Sequence, residues 1–311
     1  MVKSPRKKTQ RLLVPVDGSD RSMNTVRSIA KFVPFHPMEV VLFHVFNKVP
    51  ECYYDLSREP KSVRTAPQVR AWEREYKKTM VESMQTARGI LHKAGFPESA
   101  VEVCIRNRKK GIARDIIREA GNGYDAVVTR RRGMGAMPQV VMGSIATKLV
   151  ENLTFIPVLV MGRKPVNNRI LIGVDGSENA LRAVEFVGKT VAGHPVSLGL
   201  FHASRGFSPF VSGNEGVENC PDSDRETVAS IFRSAQARLL ECGIPEDAVQ
   251  TKAVTGVVSR AGAIAEEAGR GEYSTIVMGR KGVSRIRDFF MGRVSTKVLH
   301  AARNHSVWVV T

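Results

Sequence analysis

Short apolar runs alternate with longer amphipathic stretches along this chain, and the whole series occurs twice. In the first half the apolar runs lie near 11–16, 39–46, 101–105, 125–129 and 157–161, and helical periodicity covers 21–33, 68–94, 111–121 and 144–152. In the second half the runs are 169–174, 195–203, 249–254, 273–278 and 306–310, and the helical stretches are 179–191, 224–242, 259–270 and 293–302. Strand and helix in turn make the βαβ pattern of a parallel sheet. Ser19 and Ser177 stand where the first helix of each half needs an N-cap. Gly95 and Gly243 each follow a helical stretch and precede a Pro two residues on, which is a helix stop. The connections 47–67 and 204–223 hold Pro, Gly, Ser and charges without periodicity, and loops of that length often carry function.

The recurrence is also legible residue by residue. Arg11–Asp20 reads R-L-L-V-P-V-D-G-S-D, and 158 residues later Arg169–Glu178 reads R-I-L-I-G-V-D-G-S-E. Leu42-Phe43-His44-Val45 matches Leu200-Phe201-His202-Ala203 at the same spacing. Val127–Lys148 matches Val277–Lys297 with a spacing of 149 at the shared Met-Gly. A unit this long is a duplicated domain, not a solenoid repeat. The chain's 311 residues suit two domains, joined where Pro165, Asn167 and Asn168 follow an apolar run. The reading is one domain over 10–164 and a second over 168–311, each long enough to bury its own core.

Charge separates the two halves. The net charge is +17, and thirty Lys and Arg against fifteen Asp and Glu fall before Asn167. The first half therefore carries +15 and the remainder only +2. Such a surface attracts nucleic acid, anionic lipid or an acidic protein, or it serves solubility alone. The four cysteines, Cys52, Cys104, Cys220 and Cys242, show no C-x-x-C spacing, so reduced thiols of a cytoplasmic protein are expected. The histidines form no metal-ligand cluster, and no apolar run reaches the ~18 residues of a membrane span.

Chemistry concentrates in the loop between the fourth strand and fourth helix. In the second half Gly279-x-x-Gly282 is followed by nine residues and then Gly292. Glycines just after a strand let the backbone approach a ligand closely. Gly292 then opens a helix whose first N–H groups are unpaired, which makes an anion site. Asp17-Gly18-Ser19 and Asp175-Gly176-Ser177 do not read as nucleophile loops, because no repeat-matched histidine base accompanies them. His44 and His202 sit at equivalent strand positions and read as core histidines.

The combination V-P-V-D-G-S, L-F-H-V and G-x2-G-x9-G-[ST] resembles the universal stress protein family. The resemblance covers nearly the whole chain, as two tandem copies. It implies two doubly wound five-stranded parallel α/β sheets of Rossmann-like, adenine nucleotide alpha hydrolase-like form. In this family the last strand pairs across a two-fold axis. Val158–Val160 and Val307–Val310 are apolar edges that need cover, and tethering holds them at roughly millimolar effective concentration. The two halves are therefore expected to pair through these strands as a pseudo-dimer within one chain.

The resemblance also implies a ligand, ATP with Mg2+, and a set of positions around it. The Asp that ends the first strand lies beside adenosine, here Asp17 and Asp175. Backbone after the second-strand His meets adenine, here Val45 and Ala203. The glycine loop and helix start hold ribose and phosphates: Gly279, Lys281, Gly282, Gly292, Arg293, Val294 and Ser295 in the second half. In the first half they are Arg130, Arg132, Gly133, Gly143, Ser144 and Ile145.

Neither copy keeps the full pattern. Arg130 replaces the opening Gly of the first loop, where it either fills the ribose space or places a guanidinium on phosphate. Arg293 replaces the Ser of the second, where the backbone N–H survives and a cation at a helix start calls for an anion. The second pocket is the better candidate. Arg130–Arg132 and Arg106–Lys110 read as the ends of neighbouring strands in the same half, where they form either a basic rim around the first pocket or a solvated charge run.

Two classes of function follow. One is a stress-response module that senses adenine nucleotide and acts by conformation, protein partner or homo-oligomer, with at most slow ATP hydrolysis. The alternative is an interaction protein without a nucleotide, whose basic first half binds a polyanion or an acidic protein. An ATP-consuming ligase or transferase is set aside, since neither S-G-G-x-D-S nor H-x-G-H occurs.

Overall fold

The computed structural model describes residues 9–47, 66–131, 142–205, 222–282 and 291–311. Ten strands and eight long helices are among them. The first repeat runs β1 (Arg11–Pro15), α1 (Asp20–Lys31), β2 (Glu39–Phe46), α2 (Ala66–Lys93), β3 (Val101–Asn107), α3 (Ile112–Ala120), β4 (Ala126–Arg130), α4 (Ser144–Asn152) and β5 (Val158–Met161). The second runs β6 (Arg169–Gly173), α5 (Glu178–Val191), β7 (Ser197–Ala203), α6 (Asp222–Glu241), β8 (Val249–Val254), α7 (Arg260–Arg270), β9 (Thr275–Gly279), α8 (Arg293–Ala301) and β10 (Ser306–Val310). No described helix is long and apolar enough to cross a membrane.

By packing, the chain forms two compact units, one of residues 1–30 and 37–127, the other of 31–36 and 128–311. In the first unit β2 lies between β3 and β1, all parallel, and the start of β4 pairs on the far side of β1. Leu13, Val14, Val40 and Leu42 are buried on these strands, covered by Val26 and Ile29 of α1, Met84 and Leu91 of α2 and Ile116 of α3. Ser19 accepts a hydrogen bond from the Ser22 N–H at 3.3 Å, the expected N-cap of α1. Gly95 closes the turn after α2 at φ 103°, where a side chain would be strained.

The start of α3 is built differently. Its N-cap is Gly111, without a side chain to offer. Instead the buried carboxylate of Asp115 accepts the backbone N–H groups of Lys109 at 2.7 Å and Lys110 at 3.2 Å. Burial raises the Asp115 pKa, but those hydrogen bonds and Arg118 outweigh it, and the net shift is downward.

In the second unit five strands run parallel in the order β10-β9-β6-β7-β8. Strand β5 joins them antiparallel on β10, with Val160 opposite Val307 and Leu159 opposite Trp308. The expected pairing of the two last strands is thus present, and each apolar edge covers the other. Trp308 is fully buried, stacked on Phe35 at 5.8 Å and edge-on to Phe32 and Phe186 at 5.8 and 6.1 Å. That aromatic cluster explains why residues 31–36 belong to this unit. Backbone follows suit: the N–H groups of Arg163 and Lys164 both donate to the Asn304 carbonyl, at 3.0 and 2.7 Å.

Candidate functional site

A cavity of about 360 Å³ opens at the carboxyl ends of β6, β7 and β9 in the second unit. Its apolar floor is Val174, Phe201, Ile264 and Met278. One wall is the turn after β6. The His202 ring lies 2.9 Å from the Val174 carbonyl through Nδ1; a carbonyl only accepts, so Nδ1 carries the proton. This pins the backbone just before Asp175. Gly176 then turns at φ 76°. Asp175 Oδ1 accepts from the Ser177 N–H at 3.1 Å and hydroxyl at 2.6 Å. Ser177 Oγ in turn accepts from the Ala180 N–H at 3.2 Å and caps α5.

The glycine loop packs directly against this turn and continues the wall. A Cβ on Gly279 would lie 2.6 Å from the Asn179 carbonyl carbon, so only glycine lets β9 meet the first turn of α5 this closely. A Cβ on Gly282 would run into Asp175 Oδ2. The Gly292 N–H donates to the Arg280 carbonyl at 2.8 Å, and Ser295 Oγ donates to the Gly279 carbonyl at 2.8 Å, so both ends of the loop are fastened. Helix α8 starts at Gly292 with no side-chain cap, whereas Ser177 and Ser259 cap α5 and α7. The first N–H groups of an α-helix have no intrahelical partner. Arg293, Val294 and Ser295, the first turn of α8, all line the cavity.

The second-half residues singled out in the sequence converge on this one cavity. Asp175, Ala203, Gly279, Lys281 and Gly282 line it, together with Gly292, Arg293, Val294 and Ser295 at the helix start. Sequence reasoning missed the apolar floor and Arg260, the first residue of α7. The signal for Arg260 was a cation directly after the Ser259 N-cap.

The first-half positions fall in different units. Asp17 and Val45 belong to the first, and Arg130, Gly143, Ser144 and Ile145 to the second. Asp17 repeats the Asp175 turn, accepting from the Ser19 N–H at 3.1 Å and hydroxyl at 2.5 Å. Desolvation raises its pKa, hydrogen bonds led by Ser19 lower it more, and the net shift is downward. His44 donates from Nδ1 to the Val16 carbonyl at 2.7 Å, and burial lowers its pKa, which keeps it neutral. Val45 is buried in the sheet. Gly143 opens α4 without a side-chain cap, as Gly292 opens α8. Arg132 and Gly133 lie outside the described residues.

The two basic stretches do not follow neighbouring strands: β2 and β1 lie between β3, which carries Arg106, and β4, which ends at Arg130. Arg131 is only 6% exposed, and desolvation together with Arg303 pushes its pKa down to about 10. Arg106, Arg108, Lys109 and Lys110 are exposed.

The model of the Universal stress protein family matches residues 8–162 and again 167–311. A universal stress protein of Mycolicibacterium smegmatis is 28% identical over 182 residues, 53% of this chain and 54% of the relative. The chain thus spans about half the length of that relative. Among solved structures, a universal stress protein from Archaeoglobus fulgidus DSM 4304 has a TM-score of 0.66 at 19% identity, covering 98% of this chain and 99% of that one. A second, from Pseudomonas aeruginosa UCBPP-PA14, has a TM-score of 0.56 at 14% identity, covering 97% and 93%. At these identities the two structures speak to the fold.

Proposed function

The chain belongs to the universal stress protein family, and from that premise we propose that it binds an adenine nucleotide, ATP, in the cavity of its second repeat. Residues 10–164 and 168–311 are taken as its two domains. The observation that carries the reading is convergence: an uncapped helix start, two loop glycines and one carboxylate frame a single cavity with an apolar floor. A purine suits the floor of Val174, Phe201, Ile264 and Met278. A ribose hydroxyl suits Asp175, the one carboxylate among the described residues that line the cavity. Phosphates suit the α8 start, where the helix dipole favours anions.

The remaining chemistry points to sensing. Because Asp175 is tied up by Ser177, Mg2+ would be held by phosphate oxygens and water rather than by a protein cage. Among the described residues, no histidine and no second carboxylate lines the cavity to activate a water. The protein acts by conformation or partner choice, with slow turnover or none.

Titration calorimetry with ATP on the full chain tests this. Gly292→Val should abolish binding while the fold survives. A Cβ there already lies 3.2 Å from the Arg280 carbonyl oxygen and 3.4 Å from Lys281 Cα, and a branched side chain must turn into the phosphate space. Arg293→Ala should cost on the order of 1.5–3 kcal/mol, the range for hydrogen bonds to charged groups. ATP affinity unchanged in Gly292→Val would remove this cavity as the site.

A further inference from the structure

Three aromatic rings lead from the core of the first unit to its surface. Phe46 ends β2 and is buried. The half-buried Tyr76 of α2 has its ring 5.3 Å from that of Phe46. Trp72, one helical turn earlier, has its ring 5.3 Å from that of Tyr76, at an interplanar angle of 1°. Trp72 is 56% exposed. A single exposed ring needs no explanation, but a parallel stack that ends in an open indole is a platform on which another flat ring can stack.

Cations stand beside this ladder. The Phe46 carbonyl accepts from the Arg108 N–H at 2.8 Å, which sets the Arg108–Lys110 turn next to the foot of the stack. Arg108, Lys109 and Lys110 are exposed. Arg74, Lys77 and Lys78 of α2 are exposed too, against Glu75 on the same turns. Among the described residues, Arg108, Lys109 and Lys110 join no ion pair. The buried Asp115 carboxylate accepts from the backbone N–H groups of Lys109 and Lys110, not from their ammonium groups. The turn is thus held in place before any partner arrives, which lowers the cost of ordering it.

The other repeat serves as a control. Counted back from Gly95 and Gly243, it has Cys220 and Asp224 where the first has Trp72 and Tyr76. The strand registers set His44 beside Ile105 and His202 beside Ala253. By that alignment Ser204 replaces Phe46, and Gly256, Val257 and Val258 replace Arg108, Lys109 and Lys110. Rings and cations occur together in one repeat and are all missing from the other. A solubility role accounts for the charges and leaves the rings unexplained.

We propose that this aromatic and basic face of the first unit binds single-stranded RNA, with an unpaired base stacked on Trp72 and backbone phosphates on the Arg108–Lys110 turn. The net charge of +15 in the first half of the chain complements a polyanion. A duplex keeps its base faces covered and cannot use the indole, whereas RNA loops present unstacked bases to aromatic side chains. Anionic lipid would use the cations alone. The inference is independent of the nucleotide cavity in the second repeat.

The test uses the full chain and a labelled oligouridylate of about 15 nucleotides, which carries no adenine. Fluorescence anisotropy should show binding at low salt that weakens steeply as salt rises. The chain has 2 tryptophans, and Trp308 is fully buried, so quenching of tryptophan emission by the oligomer reports on Trp72. Trp72→Leu should lower the affinity by about 5- to 150-fold, the equivalent of one stacked base, with the salt slope unchanged. Trp72→Phe should recover part of that loss. Lys109→Gln with Lys110→Gln should reduce the salt slope by about 1.4, at about 0.7 per phosphate contact on a single strand. Unchanged affinity in Trp72→Leu overturns the platform, as does a duplex of equal length that binds as tightly as the single strand. Tighter binding of oligothymidylate overturns RNA as the occupant. Displacement of the oligomer by ATP, or no binding at low salt, overturns the proposal without touching the second-repeat cavity.

Discussion

Two glycines three residues apart in the same loop should fail in different ways. Gly279→Ala places a Cβ 2.6 Å from the Asn179 carbonyl carbon, 2.7 Å from its oxygen and 2.9 Å from the Ala180 nitrogen. Carbon contacts are comfortable at about 3.5–4.0 Å, so the first turn of α5 must retreat from β9 by roughly 1 Å. All three atoms are backbone, and no rotamer relieves the clash. Overpacking of this kind costs about 1–3 kcal/mol. At about 2–4 °C per kcal/mol for a chain of this size, the Tm should fall by roughly 2–12 °C. Gly282→Ala meets instead the Oδ2 atom of Asp175, the end of a side chain, with the next atom 3.5 Å away. The carboxylate can swing, but only by giving up its two bonds to Ser177. The fold should therefore hold, and ATP binding should weaken because the Asp175 wall has moved. Thermal denaturation followed by circular dichroism, with calorimetry on the same samples, separates the two. A Gly279→Ala protein that melts within 1 °C of the unaltered chain, or a Gly282→Ala protein that melts as low as Gly279→Ala, refutes this account of the loop.

Asp115→Asn should destabilise the protein by about 1.5–3 kcal/mol at neutral pH, since a charged acceptor of several backbone N–H groups is lost. The folded-state pKa of Asp115 lies below its ordinary value, so its contribution is complete above about pH 4 and fades as pH falls through the folded pKa; urea unfolding of both proteins at pH 7 and pH 3 should show the gap narrowing. If the exposed Arg106–Lys110 stretch binds a polyanion, Lys109→Glu should weaken retention on heparin and reduce its salt slope by about one, and an unchanged slope leaves solubility as its role. Arg280→Met should lower the Tm markedly, whereas Arg131→Met should leave it unchanged or raise it; equal losses in the two would show that Arg131 has found partners.

The doubled βαβ pattern was legible because it rests on local features. Ser19 and Ser177 cap their helices as read, and Gly95 and Gly243 turn at positive φ. The second cavity wall was legible through three glycines at fixed spacing, each of which marks a place where backbone must come close. What stayed hidden depends on strand order. Arg106–Lys110 and Arg130–Arg132 both end strands, but nothing in the sequence says that β1 and β2 lie between them. Arg131 reads as part of a surface charge run in R-R-R and is in fact buried. Arg260 was overlooked because its helix belongs to the third βα connection, and only folding brings that helix start beside the start of α8.

The duplication makes the buried arginines informative. Arg280 directly follows β9, and Arg131 holds the same repeat position after β4. Arg280 donates to the Leu153 and Glu151 carbonyls at 2.8 and 2.7 Å, closing the last turn of α4 in the other repeat. Two-fold logic would send Arg131 to the end of α8. There Arg303 already reaches the His300 carbonyl at 3.4 Å, and among the described residues none of the three guanidinium nitrogens of Arg131 has a hydrogen-bond partner. Among the described residues, then, an arginine fastens the seam between the last strands on one side and not on the other. The fastened side is set by the residue between Gly279 and Lys281, within the loop that walls the cavity. In the second repeat, then, the same short segment seats the helix of the opposite repeat and presents glycines to the ligand space. The wall of the cavity and the arginine that fastens the seam are thus consecutive residues of one stretch of chain.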